Sequence, residues 1–271
     1  MIPEPQSRSG CATCTTARCC VVFNPELTGF DLLRLAEAQE RAPRDFAAFR
    51  PVRTDEAGAD GIRLLGDART WVLCLRPRGD APSEPGGRPC VFLQTRAPGV
   101  RRCGVYPARP MRCRAFPTEL TPAGVMVDTP EAICPPGAWT PARTDLPRTR
   151  LLHLRDAIER DLHRAFVARW NHRAGGETSR SAAEQRFLAA ARGCFRALEA
   201  VMAPAWGEPS ALDRLGSAWI AATRGGPSPR EGAPGAWEDD AAAPLAPWRH
   251  VVLAARALLD GHLRPGPRGL S

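Results

Sequence analysis

Cys11-Ala-Thr-Cys14-Thr-Thr-Ala-Arg-Cys19-Cys20 places four thiols within ten residues, and its reading decides the character of the front half of the chain. Two cysteines separated by two residues can turn both sulfurs toward one metal, as in zinc knuckles and iron–sulfur loops. In an extended segment neighbouring side chains point to opposite sides, so Cys19 and Cys20 need not serve the same ion. They could feed two sites or lie on either side of one cluster.

Outward from this stretch the thiols continue. The chain has 271 residues and ten cysteines; nine precede residue 135, while all five histidines follow residue 150. Cys90-Val-Phe-Leu is followed by Cys103-Gly-Val-Tyr106-Pro-Ala-Arg109-Pro110-Met-Arg112-Cys113-Arg114-Ala-Phe116-Pro117, and Cys134-Pro135-Pro136-Gly137 closes the group. Pro107, Pro110 and Pro117 predict a stiff loop between Cys103 and Cys113, and stiffness lowers the entropy lost when ligands are fixed. Arg101, Arg102, Arg109, Arg112 and Arg114 surround these thiols. Guanidinium groups lower thiol pKa values and balance the negative charge of a four-thiolate site. Cys74, in the apolar run Thr70–Leu75, reads as a core thiol of a buried strand, and Cys194 as a core thiol on a helix face. An even cysteine count raises a disulfide framework, but the chain is long enough not to need stapling, and its start, MIPEPQSRSGC, lacks the apolar core of a secretory signal. A reducing cytoplasmic setting with metal or redox chemistry is the expectation.

Composition narrows the rest. Hydrophobic residues make up 44% and charged residues 24%, enough apolar material for a core. There is no lysine: all 37 basic residues are arginine. That excludes a Walker-type phosphate loop and Schiff-base chemistry. GxGxxG, GxSxG and HExxH motifs are also missing, so dinucleotide, serine-hydrolase and zincin readings lack their signatures. The net charge of +8 raises nucleic acid as a partner. Arginines and acids are interspersed, however, and no basic run is interleaved with aromatics, so nucleic-acid binding is the weakest reading. No apolar run reaches membrane-spanning length.

The cysteine-bearing segments resemble the CxxCxxCC family of zinc- or iron-chelating domains, the YkgJ type. The family pattern opens with a CxxC and a Cys-Cys pair and then a short helix. It continues with Cys-x-Phe-Leu, a long Cys-x-x-Tyr-x-x-Arg-Pro-x-x-Cys-Arg-x-Phe-Pro motif and a late Cys. Here Leu27-Thr28-Gly29-Phe30-Asp31-Leu32-Leu33-Arg34-Leu35 stands at the helix and residues 103–117 match the long motif nearly residue for residue. The match covers about residues 11–137. Four residues, rather than the commoner two, separate Cys14 from Cys19. The resemblance implies a metal module whose ligands are Cys11, Cys14, Cys19, Cys20, Cys90, Cys103, Cys113 and Cys134, with Arg109, Arg114 and Tyr106 supporting them. Its cofactor would be an iron–sulfur cluster or zinc. Eight thiolates could make two four-cysteine zinc sites, or one four-iron cluster with thiols to spare. A related cysteine pattern in flagellin lysine methylases keeps a redox or group-transfer enzyme as the alternative.

The remaining pattern is helical. Thr28 caps a helix to about Arg41, with Leu32, Leu35 and Ala36 inward. Residues 149–172 carry Leu151, Leu154, Ile158, Leu162, Ala165, Phe166 and Trp170 on one face. Ser181 and Glu184 form a capping box opening a helix to about Met202, a shorter helix covers Ser210–Thr223, and a last one carries Trp248, Val251, Val252, Ala255, Leu258, Leu259 and His262. Glu159 and His163 share a helix face with Asp156 and Arg160, which predicts a solvated polar face. The expected architecture is α+β: a tail at 1–10, an irregular cysteine-cluster domain with few short strands at 11–137, and a helical domain at 149–223. A Pro/Gly-rich linker at 224–247, a C-terminal helix at 248–263 and a tail at 264–271 complete it. The helical half reads as a scaffold, or a surface for a protein partner.

Overall fold

The computed structural model describes residues 14–65, 69–79, 87–127, 133–135, 138–139, 144–173, 179–224 and 249–262. The two tails, the 225–247 linker, Cys11, Trp248 and the side chain of His262 lie outside them. In the front half three separate antiparallel pairs form: β1 (Ala47–Val52) with β2 (Thr70–Leu75), β3 (Leu93–Ala97) with β4 (Val100–Cys103), and β5 (Thr118–Thr121) with β6 (Gly124–Val127). Among them run α1 (Cys19–Val22), α2 (Gly29–Gln39), α3 (Thr54–Ala57) and α4 (Met111–Ala115). The back half is helical: α5 (Leu146–Arg173), α6 (Arg180–Gly207), α7 (Pro209–Arg224) and α8 (Arg249–His262). This is the expected α+β class.

Helix α2 begins where Thr28 accepts from the Asp31 amide while the Asp31 carboxylate accepts from the Thr28 amide, a reciprocal cap that satisfies two orphan donors. It ends at Glu40, in the left-handed region. Gly29 is required by packing: a Cβ there would lie 2.0 Å from the Phe195 ring, so only glycine lets α2 approach α6 this closely. Strand β2 is buried along its whole length, as its unbroken apolar run predicts, and Cys74 lies within it, 2% exposed.

One hydrophobic cluster runs from Leu27 and Phe30 through the β1–β2 pair and into α5, α6, α7 and α8. Phe195 lies at its centre, meeting Phe30 at 4.8 Å and Phe166 at 5.4 Å, both edge to face. Edge-to-face rings exploit their quadrupoles and add to the burial of large apolar surface. Trp170, Cys194 and Trp219 are core residues, as their helical positions predict.

Four local expectations are corrected. The Cys103–Cys113 segment is not wholly loop: a 3₁₀ turn covers Tyr106–Ala108, and Met111–Ala115 is helical. Proline is compatible with a helix start, so Pro110 precedes α4 without blocking it, and Pro117 stands just past its end. Cys19 and Cys20 open a helical turn rather than an extended strand. Helix α6 is capped by Ser179, which accepts from the Ala182 amide, two residues before the expected cap, and continues to Gly207. Finally, the Glu159–His163 face is not solvated: Glu159 is 0% and His163 3% exposed. Arginines reach in to meet Glu159, which makes burial of that charge tolerable.

Candidate metal centre

The first thiol segment is held by its own backbone. Ala17 takes a left-handed conformation, φ 42°, that turns the chain back so that its amide donates to Cys14 Sγ at 3.4 Å. The Cys20 amide then donates to Ala17 O at 2.9 Å, starting the α1 turn that carries Cys19 and Cys20. The second segment is laced to the first: the Cys90 amide donates to Cys20 O at 2.7 Å, and the Arg101 amide to Thr15 O at 2.6 Å. The β3–β4 register sets Cys103 opposite Leu93, and the Gly104 amide donates to Phe92 O. At Gly104 a Cβ would come within 2.4 Å of the Gln94 side chain, which packs closely over the residue after Cys103. Helix α4 delivers Cys113.

These elements surround a cavity of about 640 Å³ lined by Cys14, Cys19, Cys20, Cys90, Cys103 and Cys113. Tyr106, Arg109, Arg96 and Arg102 share the lining, with an apolar wall that includes Phe23, Phe92 and Phe116. Phe23 and Phe116 stack at 5.6 Å. Arg109 is buried, lies over the Tyr106 ring at 4.0 Å and donates to Tyr106 O, so its charge is fixed beside the thiols. Six of the eight sequence-predicted ligands therefore face one space, Cys19 and Cys20 together. Cys134 is buried but does not line the cavity, and Arg114 is buried outside its lining. No disulfide joins the described cysteines to one another.

The thiols interact with one another. Cys20 hydrogen-bonds Cys19 and Cys103, and that bond is the main reason each of those two is held down near pKa 7; burial opposes the shift and the Arg109 charge assists it. Cys20, the shared donor, is correspondingly pushed up. Burial raises Cys90 to about 12 and Cys113 well above its ordinary value. Among the described residues no three thiol, imidazole or carboxylate groups are already gathered around one point in metal-holding geometry. The donor chemistry nevertheless fits a thiophilic metal. The cavity offers only sulfur from its Cys, His, Asp and Glu complement, which suits zinc and iron–sulfur clusters and does not suit magnesium or calcium.

Residues 10–135 match a family model, CxxCxxCC, described as "Putative zinc- or iron-chelating domain". Over that segment the chain is similar to the CxxCxxCC family. The matched segment contains every thiol of the cavity and stops before α5. No curated protein and no solved structure matches the chain. Among the described residues no helix is long and apolar enough to cross a membrane.

What the sequence did not flag is the support beneath the site. Asp31 and Arg34 of α2 and Glu159 of α5 form a buried ionic chain that ends on the α4 backbone. The available signal was the Thr28–Asp31 spacing of a capping box together with an acid, Glu159, one position from the apolar stripe of α5.

Proposed function

We propose that this is a cytoplasmic metal-binding protein whose cysteine module holds zinc or an iron–sulfur cluster. The observation that carries the reading is the convergence of six thiols from four separate segments on one cavity. Cys14, Cys19, Cys20, Cys90, Cys103 and Cys113 supply ligands from the cavity wall, and Cys11 and Cys134 complete the set of eight. These thiols would hold a metal as thiolates, giving up their protons and the hydrogen bonds that now join them. Arg109 balances thiolate charge and, with Tyr106 and Arg114, orients the surrounding backbone. The bound group supplies either a fold-holding crosslink, if zinc, or an electron-transfer centre, if a cluster. The reducing cytoplasm keeps these thiols available, and the helical half offers its outer face to a protein partner.

A second reading, an enzyme with redox or group-transfer chemistry at this centre, is favoured by the cavity volume, which falls in the range of small-molecule pockets. Metal and acid-labile sulfide content with the visible spectrum, after anaerobic purification, tests the main reading. Stoichiometric iron with sulfide, or colourless protein with zinc, supports it; absence of both overturns it. A spectral change on adding S-adenosylmethionine would move the account to the enzyme reading.

A further inference from the structure

The Cys113 helix has no side-chain cap of its own: it starts after Pro110, which has no polar side chain to accept from the exposed amides. The acceptor comes from 80 residues earlier. Asp31, 2% exposed, takes the Met111 amide on Oδ1 at 2.9 Å. The same oxygen accepts from Arg34 at 2.6 Å, while Oδ2 accepts from the Thr28 amide and hydroxyl at 2.9 and 3.1 Å. Asp31 thus joins the start of α2 to the start of α4.

Arg34 is itself gripped from behind. It donates to both oxygens of Glu159, at 2.6 and 2.7 Å, in the fork-to-fork geometry that fixes direction as well as distance. Glu159 is held in turn by Arg155 at 2.7 Å, and Arg155 lies 4.0 Å over the Trp206 ring of α6. Burial alone would push the Glu159 carboxyl up, yet the two guanidinium groups hold it below its ordinary value, so the chain stays charged.

We infer that Asp31 is a positioning residue for Cys113, and that the helical half reaches the thiol cavity through the strut Glu159–Arg34–Asp31–Met111. The inference rests on the metal-centre reading for its consequence but not for its geometry. Cys113 lies in the first turn of α4, two residues after Met111, so tilting that turn moves its sulfur relative to Cys20, Cys90 and Cys103. Ionic rather than apolar contact suits the task, because a bidentate pair tolerates one orientation where packed methyl groups tolerate several.

The test uses the full chain with Asp31→Asn, Arg34→Lys and Leu259→Ala. Asp31→Asn keeps the size of the side chain but cannot hold Arg34 and both backbone partners at once. Arg34→Lys keeps the charge and loses the fork, which provides a milder variant should Asp31→Asn not fold. Leu259 is buried in α8 away from the strut and serves as the destabilised control. Two readouts are taken: iodoacetamide labelling of Cys113 relative to Cys14 in metal-free protein, mapped by mass spectrometry, and metal release to EDTA from loaded protein. The expected result is labelling of Cys113 and metal release each faster by about 10-fold in Asp31→Asn, by less in Arg34→Lys, and unchanged in Leu259→Ala. Wild-type rates in both strut variants would overturn the inference, as would equal acceleration in Leu259→Ala, which would make the effect one of stability alone. Wild-type protein without metal would sink the metal-centre reading and leave the labelling result to decide the strut.

Discussion

The thiol module and the helical half are built on opposite economies of contact. In the front, three separate two-stranded pairs and short helical turns accompany the thiol cavity, and Ala17, Val21 and Leu93 form a small cluster of their own around α1. Two-stranded pairs are marginal by themselves in water. In the back, helices of 28, 28 and 16 residues interlock around Phe166, Phe187 and Phe195, each fully buried. The comparison teaches that stability and chemistry are largely segregated: the helices and the β1–β2 pair carry most of the core, and the thiol segments are held around their cavity mainly by backbone hydrogen bonds.

That segregation can be broken by asking whether the two properties move separately. Phe195→Ala should show the largest effect, a loss of about 3–5 kcal/mol in denaturant unfolding, because a central ring is replaced by a cavity. Metal content per folded chain should stay at the wild-type level. A parallel loss of metal in protein that remains folded would join the two regions energetically. Cys194→Ser comes next. It buries a hydroxyl where a thiol is 0% exposed, at a cost of about 1–3 kcal/mol, again with metal retained. Loss of metal in that variant would add Cys194 to the ligands.

A pH series sharpens the comparison further. His163 is buried against Phe195, with Asp60, Arg160, Asp31 and Arg164 as its charged surroundings, and burial lowers its pKa to about 4. The unfolded chain, with an ordinary histidine near 6.5, binds the proton first. Stability should therefore be unaffected by this group above about pH 6.5 and fall as pH is lowered toward 4. Urea midpoints over that range should show the slope in wild type and a flatter one in His163→Gln; equal slopes would remove His163 from the account. The smallest effect belongs to the Arg196–Glu37 pair between α6 and α2, whose side chains are 58% and 57% exposed. Arg196→Ala should change stability by less than about 0.5 kcal/mol, since solvent screens such pairs. A larger loss would mean that the helical half leans on its surface charges.

The helical half was legible because its stripes repeat over many turns: Leu154, Ile158, Leu162 and Phe166 announce α5, and all four are buried. The strand of Thr70–Leu75 was legible for the same reason, an unbroken apolar run. The thiol segments were legible as chemistry but not as shape. Spacing said that Cys19 and Cys20 belong to a metal motif; it did not say that a helical turn, set by the backbone bond from Cys20 to Ala17, turns both toward one cavity. Prolines around Cys113 hid the α4 turn, because the same residue that breaks a helix from inside is compatible with its start. The strut was hidden most deeply. Asp31, Arg34 and Glu159 look like ordinary surface charges one at a time, and only the fold brings positions 125 residues apart to 2.6 Å.

The most direct test of the central claim, that the thiol cavity is a metal centre, is elemental analysis with acid-labile sulfide on anaerobically purified wild type and Cys113→Ser. The account predicts about one or more zinc or iron per wild-type chain, with sulfide close to iron if a cluster is present, and a clear loss in Cys113→Ser at unchanged helical content. Wild-type protein free of both metals, or Cys113→Ser with undiminished metal, would contradict it.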